Sequence, residues 1–296
     1  MVGFDEWAAR AVPVDSGGLR IAAHDDGPRD GPAVTFLHGY PSSSLDVVPV
    51  LARVVPRGVR VVSLDFPGFG ASAKPVGHPY SIDAAADATE AVWAALGVGS
   101  TVLLAHDYGV SVAQELLARQ IDDPAGRPVP VSGVVWSNGG LYPDLHRPTV
   151  GQQLLLDPDH GAEVAAAMDE AALGNGLRVT WGTRRPMTVE DVAGIWQPLV
   201  HDGGSRQAHA LLHYIPDRRA HADRWRAALE SRAVPMRFVW GQLDPVSGGH
   251  VADRLVERLP DVPVERLADV GHWPPLEAPD EVAAAVLDLA GAAPGP

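Results

Sequence analysis

Short unbroken apolar runs alternate along most of this chain with longer stretches in which apolar residues recur every three or four positions, and that alternation predicts repeated strand–helix units. The runs lie at 33–37, 59–64, 101–105, 131–136, 236–240 and 262–267, and the one at 101–105 shows no in–out alternation. That suits strands covered on both faces by helices. Between them, helical patterns run from about Ser44 to Val55, from Ser81 to about Leu96, and from Gly109 to Arg119. Asp83 falls in the first turn of the second pattern, and Gly97 and Gly99 stop it. Two further short strands, 11–14 and 19–23, meet at Ser16-Gly17-Gly18, a hairpin signal. The expected fold class is α/β, with a mostly parallel, doubly wound sheet flanked by helices. Ligands of such sheets sit beyond the carboxyl ends of the strands, where this chain carries His38, Asp65, Asp107, Asn138, Asp244 and His272.

The alternation lapses between residues 141 and 233. Helical patterns at 161–172 and 205–214 and several tryptophans occupy that stretch, without a convincing strand. Long excursions from a compact domain usually serve function, so 141–233 is expected to be a helical lid inserted after the sixth strand, with 1–140 and 234–296 forming the core domain. The sheet resumes at 236–240. A helix to Leu259, the strand 262–267 and a last helix over 279–290 complete it, and the terminal GAAPGP is expected to be disordered.

The stretch that organises the chain is TVLLAHDYG at 101–109. An apolar strand that turns at once into a helix leaves one side chain pushed out at its tip, here Asp107 flanked closely by Ala105 and Gly109. This is the context of the nucleophile elbow, with aspartate where serine is usual. A carboxylate that attacks carbon leaves an ester on the protein, which water must then cleave. Alone, Asp107 reads equally well as a helix cap. Asp244 and His272, each just beyond a late strand, complete the order nucleophile, acid, histidine.

Composition narrows the chemistry. The 296 residues include no cysteine, which excludes disulfides, thiolate metal sites and a cysteine nucleophile. The net charge is −14 and Lys74 is the one lysine, so a phosphate backbone would be repelled and nucleic acid is not an expected partner. No apolar run reaches membrane-spanning length, and the N-terminal stretch has acidic residues where a secretory signal is basic, so a soluble, cytoplasmic protein is expected. No ligand spacing implies a metal, and nucleophile, base and water need no cofactor. Oligomeric state is not written in these features.

Together, HGYP at 38–41, DFPGFGAS at 65–72, HDYG at 106–109, GQLDP at 241–245 and GHW at 271–273 resemble the α/β-hydrolase fold and its aspartate-nucleophile branch, the epoxide hydrolases and haloalkane dehalogenases. A narrower likeness, to the vertebrate mesoderm-specific transcript group, is carried by HDYG, by VAQELL at 112–117, SNGG at 137–140, HRP at 146–148 and LDPV at 243–246, and reaches Tyr214-Ile215 and Arg224-Trp225. The resemblance implies Asp107 as nucleophile and His272 as the base that activates water, oriented by Asp244. It implies an oxyanion hole from the backbone N–H groups of Tyr40 and Tyr108, and a structural His38.

An opening epoxide needs a proton donor, whereas a departing halide needs N–H donors around it. Tyr108 and Tyr40 stand where dehalogenases carry tryptophan and asparagine, while Tyr214 lies where an epoxide hydrolase carries a lid tyrosine. The residues 149–161 lack the usual second tyrosine and Tyr142 precedes them near the sheet edge, which leaves a histidine such as His213 or His209, a water, or a different activity as the alternatives. Trp181 and Trp196 are expected to line an apolar pocket or to face a halide. The expected activity is opening of a small apolar organic epoxide to a diol. Haloalkane dehalogenation and a non-catalytic small-ligand receptor are the alternatives, the second disfavoured by the intact triad.

Overall fold

The strands form one eight-stranded sheet in the order β1-β2-β4-β3-β5-β6-β7-β8, in a computed structural model that describes residues 2–126 and 128–291. Most of the terminal GAAPGP lies outside the described residues. The strands are β1 Val12–Ser16, β2 Leu19–Asp26, β3 Ala33–Leu37, β4 Arg60–Leu64, β5 Thr101–His106, β6 Val131–Ser137, β7 Met236–Gly241 and β8 Val264–Leu267. β1 and β2 pair through a two-residue turn whose Gly17 and Gly18 both have positive φ, 58° and 85°, conformations that favour glycine. β2 is antiparallel to β4, and all pairings from β4 to β8 are parallel. Leu37 pairs with Ala105 and His106 with Ser137, so the residues that follow these strands gather at one rim.

The helices are α1 Phe4–Ala9, α2 Val48–Val54, α3 Ile82–Leu96, α4 Tyr108–Asp122, α5 Val150–Leu155, α6 Gly161–Ala167, α7 Glu170–Thr180, α8 Val189–Val200, α9 Ala208–Leu211, α10 Tyr214–Ala220, α11 Ala222–Glu230, α12 Gly249–Arg258, α13 Pro274–Glu277 and α14 Pro279–Ala290. Successive β5 residues serve opposite cores. Leu103 and Ala105 join the side covered by α3, α4 and α11, and Val102 and Leu104 the side covered by α1, α2 and α14. Both faces being apolar explains why the strand shows no alternation. Ser81 caps α3 by accepting from the Ala84 N–H, and Gly97 ends it in the left-handed conformation.

Several boundaries differ from the sequence expectation, each for a local reason. The pattern at 44–55 is a 3₁₀ turn, Ser44–Val47, followed by α2, with Pro49 in the first turn of the helix, where its missing N–H costs nothing. The pattern at 161–172 breaks at Met168, because Asp169 caps a new helix by accepting from the Ala172 N–H at 2.7 Å. The pattern at 205–214 is three pieces, a 3₁₀ turn kinked at Asp202 and Gly203, then α9, then α10. β8 starts at Val264, two residues beyond the start of its apolar run. The short α1 went unpredicted; it buries Phe4 and Trp7, whose indole donates to Ser44 Oγ at 2.9 Å. The excursion between β6 and β7 also touches the sheet's flanking layer. Its last helix, α11, packs on α4 in the layer flanking the sheet, where the Trp225 indole donates to Glu115 Oε2 at 2.8 Å. Among the described residues no helix is long and apolar enough to cross a membrane.

Asp46, in the 3₁₀ turn before α2, is 4% exposed and its Oδ2 has no hydrogen-bond partner. Burial, reinforced by the nearby Asp65 and Asp191, pushes its pKa up to about 7 from 3.8. The folded chain therefore holds a proton that the unfolded chain releases between those values, and stability falls as pH climbs through that window. Asp46→Asn is expected to raise the melting temperature at pH 8, by about 1–3 kcal/mol of stability, and to leave it nearly unchanged below pH 4. Equal melting shifts at both pH values would show that the proton is not the cause.

Candidate active site

The turn from β5 into α4 is built by close approach of backbones. Asp107 has φ 46° and ψ −103°, an unusual conformation for a residue with a side chain. Its N–H donates to Asn138 O at 2.8 Å, and the Gly109 N–H donates to His38 O at 2.9 Å. A Cβ at Gly109 would lie 2.1 Å from Leu37 O, so only glycine fits there. These constraints lift the Asp107 side chain to the rim, 5% exposed.

The Asp107 carboxylate splits its two oxygens between two neighbours. Oδ2 accepts from the Tyr40 N–H at 2.9 Å, and Oδ1 lies 3.8 Å from His272 Nε2. His38 holds the Tyr40 turn, its Nε2 accepting from the Phe66 N–H at 3.1 Å. Behind His272, Nδ1 is 2.8 Å from Asp244 Oδ2. That carboxylate also accepts from Asn138 Nδ2 at 3.0 Å, Ser247 Oγ at 2.7 Å and the Val246 N–H at 2.8 Å. Burial would raise the Asp244 pKa, but His272 and these donors outweigh it and hold the group well below the usual carboxylate range. Burial would likewise lower His272, yet Asp244 and then Asp107 push it up to about 9. His106 is the opposite case, lowered to about 4 by burial and by His272, and its neutral ring donates from Nε2 to His272 O at 2.8 Å.

The histidine loop is also tied to the helical excursion. The His272 N–H donates to Thr180 O at 2.7 Å, and the Thr183 and Arg184 N–H groups donate to Asp269 O at 2.7 and 2.9 Å. The buried Glu277 carboxylate accepts from the N–H groups of Gly182, Gly271 and Trp273 at 2.7, 3.1 and 3.0 Å. One acidic side chain thus satisfies donors from both segments.

A cavity of about 540 Å³ opens above Asp107 and His272. Tyr40 and Trp273 stand near its floor, and Leu154, Met168, Leu173 and Leu177 from the excursion supply apolar wall. Gly176 lines it too, and nothing lies within 4 Å of the Cβ it lacks.

The structure brings Asp107, His272, Asp244 and Tyr40 together and treats the other expected residues unequally. The Tyr108 ring is buried against Phe66 and Phe69, with its backbone opening α4 directly after Asp107. Tyr214 is buried 5.1 Å from the Tyr108 ring and 6.3 Å from the Tyr40 ring, outside the cavity wall, and its hydroxyl has no partner. Burial foremost, and then Asp107, raise its pKa well above the ordinary phenol value. Trp181 does not line the cavity as expected. It packs with Leu177, Ile195 and Trp273, and its indole donates to Arg185 O at 3.1 Å. Trp196 is also absent from the wall, half-buried against the larger core. Tyr142 spends its hydroxyl on Glu230 at 3.3 Å, and His213 is exposed.

Sequence reasoning missed Ser247, His106, Glu277 and Arg218 as parts of this site. Ser247 follows the LDPV motif and His106 stands in HDYG, so a signal was present for those two. Among the described residues no group of three or more histidines and carboxylates could hold a metal ion.

A mostly parallel sheet with a strand–elbow–helix at its centre is the architecture of the α/β hydrolases, and the α/β hydrolase fold family matches residues 32–279; the chain belongs to that family. Among its relatives, LipZ of Mycobacterium tuberculosis is 37% identical over 287 residues, covering 96% of each chain. The mesoderm-specific transcript protein of Mus musculus is 36% identical over 269 residues, covering 88% of this chain and 80% of its own. The haloalkane dehalogenase DbeA of Bradyrhizobium elkani shares the fold, with a TM-score of 0.77 at 21% identity over 95% of this chain and 97% of its own.

Proposed function

We propose that the chain hydrolyses an apolar epoxide to a vicinal diol through an ester on Asp107, with the helices that follow β6 acting as a lid. The observation that carries this reading is the pair of phenols beside Asp107. Tyr40 lines the cavity and Tyr214 stands next to it, and for both, burial and then the Asp107 charge favour the protonated form. Such groups remain proton donors at any working pH. Indole donors that would suit a halide are spent, Trp273 on Thr180 Oγ1 at 3.1 Å and Trp181 on Arg185 O.

In this mechanism Asp107 Oδ1 attacks an epoxide carbon, the ring C–O bond breaks, and a phenol protonates the alkoxide. The new ester is neutral, so His272 loses one of the charges that hold its proton, gives that proton to the phenolate and becomes free to act as base. His272 takes a proton from water, and the hydroxide attacks Asp107 Cγ. The oxyanion sits against the Tyr40 N–H and the N–H of Tyr108, the ester C–O bond breaks, and water's two protons end on the released alkoxide and on His272. The carboxylate is restored.

The test is a panel of terminal epoxides and haloalkanes with matched carbon skeletons, scored as diol and as free halide against an Asp107→Ala blank. Diol without halide is expected. Tyr214→Phe and Tyr40→Phe should each lower kcat by about 10²-fold or more, since each removes a donor and keeps the ring. Halide release as fast as diol formation would overturn the epoxide reading.

A further inference from the structure

Arg218 is 2% exposed and comes from α10, in the helical excursion. Its Nε donates to Ser111 Oγ at 2.7 Å and its Nη2 to the main-chain oxygen of Asp107 at 2.9 Å. The same Nη2 lies 3.9 Å from Asp107 Oδ1, and the guanidinium carbon sits 4.5 Å from the Tyr214 ring centre. Gly140 makes the room, because a Cβ there would lie 2.3 Å from Nη1. Among the described residues no other carboxylate forms an ion pair with Arg218.

A guanidinium taken out of water is costly unless a charge and hydrogen bonds compensate it. Here the compensating charge is the carboxylate assigned above as the nucleophile. We propose that Arg218 is the buried counter-ion of Asp107 and that it drives the second half-reaction. The inference rests on the ester reading. When Asp107 becomes an ester its charge is gone while the guanidinium keeps its own, so the intermediate is the state in which Arg218 is least compensated. Attack of water on Cγ, with His272 taking the proton, puts negative charge back beside the guanidinium. Cleavage of the ester C–O bond then returns the carboxylate, as the alkoxide takes a proton. Arg218 therefore raises the ester and lowers the transition state of its hydrolysis, which is differential stabilisation by a preorganised charge.

A purely structural Arg218, fastening α10 to the elbow, would affect both half-reactions together. The two roles separate in single-turnover experiments with a terminal alkyl epoxide, quenched at intervals and read by intact-protein mass spectrometry. Arg218→Met is expected to form the ester within about tenfold of the wild-type rate and to hydrolyse it about 10²-fold more slowly, so that the adduct accumulates. Arg218→Lys, which keeps the charge, should accumulate far less. Equal slowing of formation and hydrolysis in Arg218→Met, or as much adduct with Lys as with Met, would overturn the proposal. Should Arg218→Met fail to fold, Arg218→Gln takes its place in the comparison. His272→Gln serves as the reference: if it too yields no adduct, the ester mechanism falls and this inference with it. An adduct there, with hydrolysis in Arg218→Met as fast as wild type, sinks only the role of Arg218.

Discussion

Asp107→Ala is expected to abolish product formation from every substrate that the wild type turns over, a loss of at least about 10⁴-fold, because no other group at the cavity floor can form the ester. The substitution also removes the acceptor of the Tyr40 N–H and the counter-ion of Arg218. It should therefore cost on the order of 3 kcal/mol of stability, seen as a lower melting temperature with the fold intact. Relief of the strained backbone offsets little, since alanine is no better suited to φ 46° than aspartate. Turnover above the protein-free background in a folded Asp107→Ala protein would place the nucleophile elsewhere.

His272→Gln should behave differently, trapping the protein after one chemical step. The ester forms at the full complement of active sites and persists, so the protein mass rises by that of the substrate, while steady-state diol production drops by about 10³-fold or more. The wild type adds a pH signature. In the resting protein His272 binds its proton up to about pH 9, with both Asp244 and Asp107 contributing. In the ester Asp107 contributes nothing, so the acid limb of ester hydrolysis should fall below the imidazole titration measured by NMR on the free protein. Coincident midpoints would mean that the Asp107 charge does not govern the base.

The centre of the sheet was legible because its strands are buried on both faces and read as apolar runs, as Leu103 and Leu104 show on β5. The elbow was legible because a sharp backbone turn demands small neighbours, and Gly109 supplies one. Asp244 and His272 follow apolar strands in the same way. The excursion yielded less. Its helices are short, their boundaries set by single caps such as Asp169 and by a kink at Asp202-Gly203 that no periodicity announces. Nor does the sequence say which of two tryptophans faces a cavity, since Trp181 and Trp196 pack as ordinary core residues would. Arg218 escaped for a related reason: a basic residue on a short helix reads as solvated, and only the tertiary fold carries it to Asp107.

The hydrogen bonds shared by the histidine loop and residues 180–184 act as a seam, and Arg218 pins the far edge of the same roof. A roof fastened along both margins cannot swing open as one leaf. The cavity wall contributed by residues 149–177 precedes both fastenings in the chain, and Leu154 there lines the cavity and stands exposed. With the proposed lid fastened in this way, substitution at Leu154 is expected to retune entry and release rates while the chemical steps keep their pace.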